Sequence, residues 1–259
     1  TATVEKNNTA NDPARSSAVP NQIGTTSSKI KHVIYIVREN RTFDQELGSN
    51  GRGNADPSLN LFGEESAPNT RALARQFTTF DNFYADAEVS ANGWNWVSQA
   101  NSNPWSEEMW PSNYSGRGAP YPAENNDPES RAKEHDSYFW EHLSKNNISF
   151  RNYGFYTTLD KKGKAHGVDK KILDPNTDHD FIGWSLDCPD SARSFAPMAK
   201  NCGPKSRVDE WKSDFNKQLA KGSVPTVQLV RFGNDHTQAT KVGVPTPQAY
   251  VADNDQAIG

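Results

Sequence analysis

The stretch Lys31-His32-Val33-Ile34-Tyr35-Ile36-Val37-Arg38-Glu39-Asn40-Arg41-Thr42-Phe43-Asp44 constrains the fold of this 259-residue chain more than any other. Its run of β-branched and aromatic residues over 32–37 predicts a buried strand. The run ends abruptly in a carboxylate and a carboxamide, Glu39 and Asn40. In an open parallel sheet, ligands gather just beyond the carboxyl ends of the strands. Two oxygen donors placed there suit a hard or borderline divalent cation. The same pattern also fits a polar loop that caps a strand, and spacing alone leaves both readings open.

Periodicity organises the rest. Residues 1–29 are polar and aperiodic and read as a linker or arm. A short helix is expected over 70–76, a second strand over 77–84, and a helix over 91–100 with Trp94 and Val97 on one face. Ser90 falls at the turn before that helix. Residues 101–134 and 156–204 read as two long insertions. Asp136 is placed to cap a helix over 137–145, and a strand follows over 148–153. Ser206 with Asp209 resembles a capping box, followed by Val208, Trp211, Phe215 and Leu219 at helical intervals and by Gly222 as terminator. A strand over 224–232 runs into Asn234-Asp235-His236-Thr237, and Thr246 with Pro247 opens a last helix. Strands alternating with helices predict an α/β fold, a three-layer α/β/α sandwich on a mostly parallel sheet. The three polar clusters, Glu39-Asn40, Ser90 and Asp235-His236, all follow strands, so they are expected to gather at one sheet edge.

The net charge of −4 and the lack of a basic stripe argue against a nucleic-acid partner. No apolar run reaches membrane-spanning length, and the amino terminus lacks a signal-peptide core, as it would after a cleaved leader or a preceding domain. Cys188 and Cys202 share a loop-like region rich in Pro, Gly and Ser, where a disulfide is expected. Such a bond fits an exported protein, secreted or periplasmic.

Among the candidate residues, Ser90 suits either a helix cap or a nucleophile that a metal would activate. Asp235 and His236 suit either a capping turn or a metal site. Glu88 reads as a support to the site or as exposed. Trp94 and Trp96 read as core or as lining of a substrate mouth. His179, in Asp178-His179-Asp180, reads as loop decoration, and Asp253 and Asp255 as solvated positions on the last helix.

Val37-Arg38-Glu39-Asn40-Arg41-Thr42-Phe43-Asp44 resembles the signature of the phosphoesterase family that contains bacterial phospholipases C and acid phosphatases, within the alkaline phosphatase superfamily. The likeness continues through residues 51–59, Asp81-Asn82-Phe83-Tyr84, Glu88-Val89-Ser90, Asn234-Asp235-His236-Thr237 and residues 245–255. It covers nearly all of the chain after about residue 30, so 30–259 is expected to form the phosphoesterase domain. It is most similar to the phosphoesterase half of bacterial proteins that carry an N-terminal β-propeller. The resemblance implies metal-dependent hydrolysis of phosphate esters, with Ser90 as nucleophile and Glu39, Asn40, Ser90, Asp235 and His236 around two divalent ions (zinc, calcium or manganese). The family pattern continues into an Asp-Asp element, an Asp-His and a later His that this sequence does not reach. The domain is therefore expected to be truncated at its carboxy-terminal side, with a propeller or partner chain as candidate companion. The competing expectation is a secreted binding or assembly module that keeps the fold without catalysis.

Overall fold

A computed structural model describes residues 18–20, 24–102, 104–117, 138–191 and 202–259. Most of the amino-terminal arm, the later part of the first insertion with Asp136, and 192–201 of the second lie outside them. The described residues form a mixed α/β structure. Strands β1 (Val33–Arg38), β2 (Phe150–Tyr153) and β5 (Val227–Phe232) make a parallel sheet in the order β1-β5-β2. Strands β3 (Thr157–Leu159) and β4 (Ala165–Gly167) make a separate antiparallel hairpin inside the second insertion. The α-helices among the described residues are α1 (Phe43–Leu47), α2 (Pro68–Gln76), α3 (Ser90–Gln99), α4 (Pro104–Asn113), α5 (Phe139–Lys145), α6 (Arg207–Ala220) and α7 (Pro247–Ile258).

The central strand explains where the core sits. All six residues of β5 are buried, and successive side chains face opposite sides. Val227 and Leu229 pack with Trp94 of α3 and Trp140 and Leu143 of α5. Val230 and Phe232 pack instead with Val208 of α6 and Ala257 of α7. The caps form as the sequence predicts: Ser206 Oγ accepts from Asp209 N at 3.2 Å, Thr246 Oγ1 accepts from Ala249 N at 3.2 Å, and Gly222 takes a positive φ of 62° after α6.

Four expectations change. First, β1 is the exposed edge of the sheet, and Val33, Ile34 and Ile36 are 49, 43 and 41 % exposed. It bonds to β5 on one side only, with no ladder partner on the other among the described residues. Second, no strand forms over 77–84, and Phe77, Phe80, Phe83 and Tyr84 are exposed. Its side chains are tied to neighbouring backbone instead: Asp81 accepts from Asn54 N at 2.6 Å and from Asn82 N at 2.9 Å, and Thr79 Oγ1 donates to Ala74 O at 2.7 Å. Third, α4 forms within the first insertion although its sequence carries no apolar period and holds Pro111.

Fourth, Asp253 and Asp255 are buried. Asp255 accepts from the backbone N–H groups of Asn69 and Thr70 at 2.9 and 2.7 Å, capping α2, whose own N-cap Ala67 has no side chain able to do so. Asp253 accepts from Asp190 N, Ser191 N and Oγ, and Asn234 Nδ2 at 2.6–3.0 Å. Burial pushes the Asp253 carboxyl up and the neighbouring Asp190 pushes it further, against the bonds from Ser191 and Asn234. A carboxyl raised in the folded state binds its proton where the unfolded chain has lost it. Its stabilising contribution is complete below the ordinary carboxylate range and is lost as pH rises through the folded value. Asp253→Asn is therefore expected to flatten the fall of the urea midpoint as pH rises above the ordinary carboxylate range. It should also cost about 1–3 kcal/mol at pH 5, because an amide N–H₂ then faces donors. An unchanged slope would mean that this carboxyl stays charged throughout.

Cys188 and Cys202 are joined by a disulfide with Cα atoms 5.2 Å apart. Closing a loop of this length stabilises the fold by about 3 kcal/mol in the chain-entropy account. The Cys188 carbonyl accepts from Arg207 Nη1 at 2.9 Å and Asn234 Nδ2 at 3.0 Å, so the bond also anchors the turn after β5. No helix of the described residues is long and apolar enough to cross a membrane.

Candidate active-site cleft

Parallel pairing with Arg38 opposite Phe232 brings the carboxyl ends of β1 and β5 side by side. Glu39 and Asn40 leave β1 next to the Asn234–His236 turn that follows β5. The two loops are stitched together. Glu39 N donates to Asp235 Oδ1 at 2.9 Å. Arg41 donates to Asp235 O at 2.7 Å, His236 O at 2.8 Å and Thr237 Oγ1 at 3.2 Å, with its guanidinium 5.1 Å from the Phe62 ring.

Ser90 is the first residue of α3, preceded by Val89 in extended conformation. The amide groups of such a helix start have no intrahelical acceptor and favour an anion. Asn40 Nδ2 donates to Ser90 Oγ at 3.3 Å, which joins β1 to α3 across 50 residues of sequence. Glu39, Asn40 and Ser90 line one cleft of about 840 Å³, together with Glu88, Trp94 and Trp96. Glu88 is exposed at its rim, whereas Trp94 is buried and donates Nε1–H to Glu39 Oε1 at 3.1 Å.

Asp235 and His236 do not reach this cleft. Asp235 is buried beside Arg38, whose Nη2 lies 3.8 Å from Oδ2. Burial pushes its carboxyl well up, and Arg38 pulls the other way. His236 lines a neighbouring cleft of about 810 Å³ that shares Asn40 with the first. Its Nδ1 lies 3.0 Å from Thr237 O and, since a carbonyl only accepts, carries the proton; Nε2 then holds the lone pair. The edge of Trp184 meets the His236 ring at 5.1 Å.

Arg231 is the residue that sequence reasoning missed. Its guanidinium lies between the rings of Trp94 and Trp184, 4.2 and 4.4 Å from their centroids, and is ion-paired to Glu39 Oε1. A charged residue inside the apolar run of β5 was the available signal. Arg38 and Arg41 were similarly visible as the two cations that flank Glu39-Asn40.

Comparison with family models, with curated proteins and with solved structures finds no match. What the fold and cleft define is a mixed α/β protein with oxygen donors gathered at the carboxyl ends of a parallel sheet.

Proposed function

We propose that the chain is the core of a metal-dependent phosphoesterase, an α/β/α sandwich of alkaline phosphatase type, with Ser90 as nucleophile. The observation that carries the reading is the Asn40–Ser90 contact at a helix start, within the cleft that also holds Glu39. The oxygen donors of Glu39, Asn40 and Ser90 suit a zinc, calcium or manganese ion. Among the described residues, the side-chain donors to Glu39, Trp94 Nε1 and Arg231 Nη2, both meet Oε1, which leaves Oε2 as the oxygen we assign to a cation. Asp235 acts through the backbone of Glu39, and His236 borders the second cleft, where a second ion or the phosphate would be held.

Bound metal would lower the pKa of the Ser90 hydroxyl and neutralise charge on the phosphoryl oxygens. Ser90 Oγ would give up its proton to solvent and form a bond to phosphorus as the ester P–O bond breaks, and the departing alkoxide would take a proton from water. The amide groups that open α3 receive the phosphoryl charge. Water then attacks the phosphoserine and releases phosphate and Ser90. The substrate is a phosphate ester, and the disulfide fits a secreted or periplasmic setting.

The exposed aromatic segment 77–84 and the open edge of β1 favour the alternative, an assembly module completed by another domain or chain. Hydrolysis of p-nitrophenyl phosphate and bis-p-nitrophenyl phosphate with each added metal separates the two. Turnover lost on the order of a thousandfold or more in Ser90→Ala is expected for the enzyme. No turnover and no bound metal in wild type would leave the assembly reading.

A further inference from the structure

The β3–β4 hairpin and the turn after it collect two imidazoles and a carboxylate away from the cleft. His166 lies on β4, Asp174 begins the 3₁₀ turn Asp174–Asn176, and His179 follows Asp178. One ligand atom from each of the three lies within 4.8 Å of the other two. His166 Nδ1 is 3.2 Å from Asp174 Oδ1, and the two imidazole rings are 4.5 Å apart. On its other side, His166 Nε2 is 3.6 Å from Asp160 Oδ2.

His179 is held as a metal-binding histidine is held. Its Nδ1 lies 2.6 Å from the Ala165 carbonyl, which can only accept, so the proton sits on Nδ1 and the lone pair on Nε2. Ala165 N donates back to His179 O at 2.9 Å, which fixes its backbone as well. Asp174 Oδ1 accepts from Gly167 N at 2.8 Å, and the exposed ammonium of Lys170, 3.7 Å from Asp174 Oδ2, is the competing cation. The other carboxylate group nearby, Asp178, Asp180 and Glu210, is already paired with Arg151, Lys164 and Lys205.

We propose that His166, Asp174 and His179 bind one divalent cation of the zinc class through His166 Nδ1, with water as fourth ligand and Asp160 accepting from His166 Nε2. Two imidazoles with carboxylate select borderline ions over calcium and magnesium. Zinc bonds of about 2.0–2.1 Å place tetrahedral donors about 3.3 Å apart; His166 Nδ1 and Asp174 Oδ1 already stand at that spacing, so the adjustment on binding falls on His179. Because Thr177 bridges in parallel to Asn152 of β2, the ion would tie the hairpin to the main sheet.

The site stands apart from the phosphoesterase reading, and its test is run in an Asn40→Ala background, which removes an exposed ligand of the cleft without breaking the buried Glu39–Arg231 pair, stripped with chelator and titrated with zinc. Zinc binding is followed by dye competition and by NMR of the histidine rings. One zinc per chain is expected, with His166 and His179 ring signals shifting together. Added His166→Ala or His179→Asn should weaken zinc by at least about tenfold, the scale on which even outer partners of metal-bound histidines act. Asparagine keeps a donor for the Ala165 carbonyl, which preserves the local fold. Zinc uptake that leaves both rings unmoved, undiminished affinity in both variants, or no uptake would each overturn the proposal.

Discussion

Arg231→Leu is expected to lower the unfolding free energy by about 3–5 kcal/mol, the range for removing one partner of a buried ion pair. Arg231 and Glu39 have side chains only 3 and 13 % exposed, so water replaces the lost guanidinium poorly. Two further contacts go with it, the faces of Trp94 and Trp184. A planar, weakly hydrated cation between two indoles is a role that lysine would fill poorly. Urea denaturation of Arg231→Leu, Glu39→Gln and the double variant measures the coupling. The double variant should recover much of the loss, because no carboxylate is then stranded. Strict additivity would mean that the pair is no stronger than a surface contact.

Arg207→Met should be comparably damaging, with a fall in melting temperature of about 10 °C or more for a loss of about 3–5 kcal/mol. Its guanidinium donates to Ile182 O, Gly183 O, Ser185 O, Cys188 O and Asp190 Oδ1 at 2.6–3.0 Å. Methionine keeps the volume and strands four carbonyls and a fully buried carboxylate. Asp190 also accepts from Asn234 N and Asn254 Nδ2, both at 2.9 Å, so the turn that carries Asp235 and His236 loosens with it. Arg207→Lys keeps the charge but replaces five donors in a fork by one ammonium, and should restore less than half of the loss. Thermal unfolding and proteolysis between 182 and 191 read the two effects. A methionine variant that melts like wild type would show that this network is replaceable.

Local signals carried the elements whose information is local. The caps at Ser206 and Thr246, the terminator Gly222 and the apolar run of β5 all stand where the sequence reading put them. Ser90 begins α3 for the same reason, since a helix start is written in its neighbours. Segment 77–84 failed because alternation measures a side-chain pattern, whereas a strand needs a partner edge; here the side chains of Asp81 and Thr79 are tied to the backbone of Asn54 and Ala74 instead. Asp253 and Asp255 were misread as solvated for a related reason. Polarity at a helix position does not reveal that Asp190, Asn234 and the start of α2 bring their donors there. In the cleft, Glu39, Asn40 and Ser90 were legible as polar residues at strand and helix ends. The pairing of Glu39 with Arg231 was not, because it joins residues 192 apart.

The parallel sheet is asymmetric in what it offers to an incoming chain. On the β2 side the Asn152–Thr177 bridge already occupies part of the rim. On the β1 side, among the described residues, a row of backbone amides and carbonyls has no ladder partner, with the exposed Ile34 and Ile36 beside it. Any strand zipped onto that row in parallel would run out beside Arg38 and deliver its next residues to Glu39 and Asn40. Sealing the apolar rim and furnishing the cleft with new side chains would then be one event, so loss of stickiness and gain of chemistry should rise together.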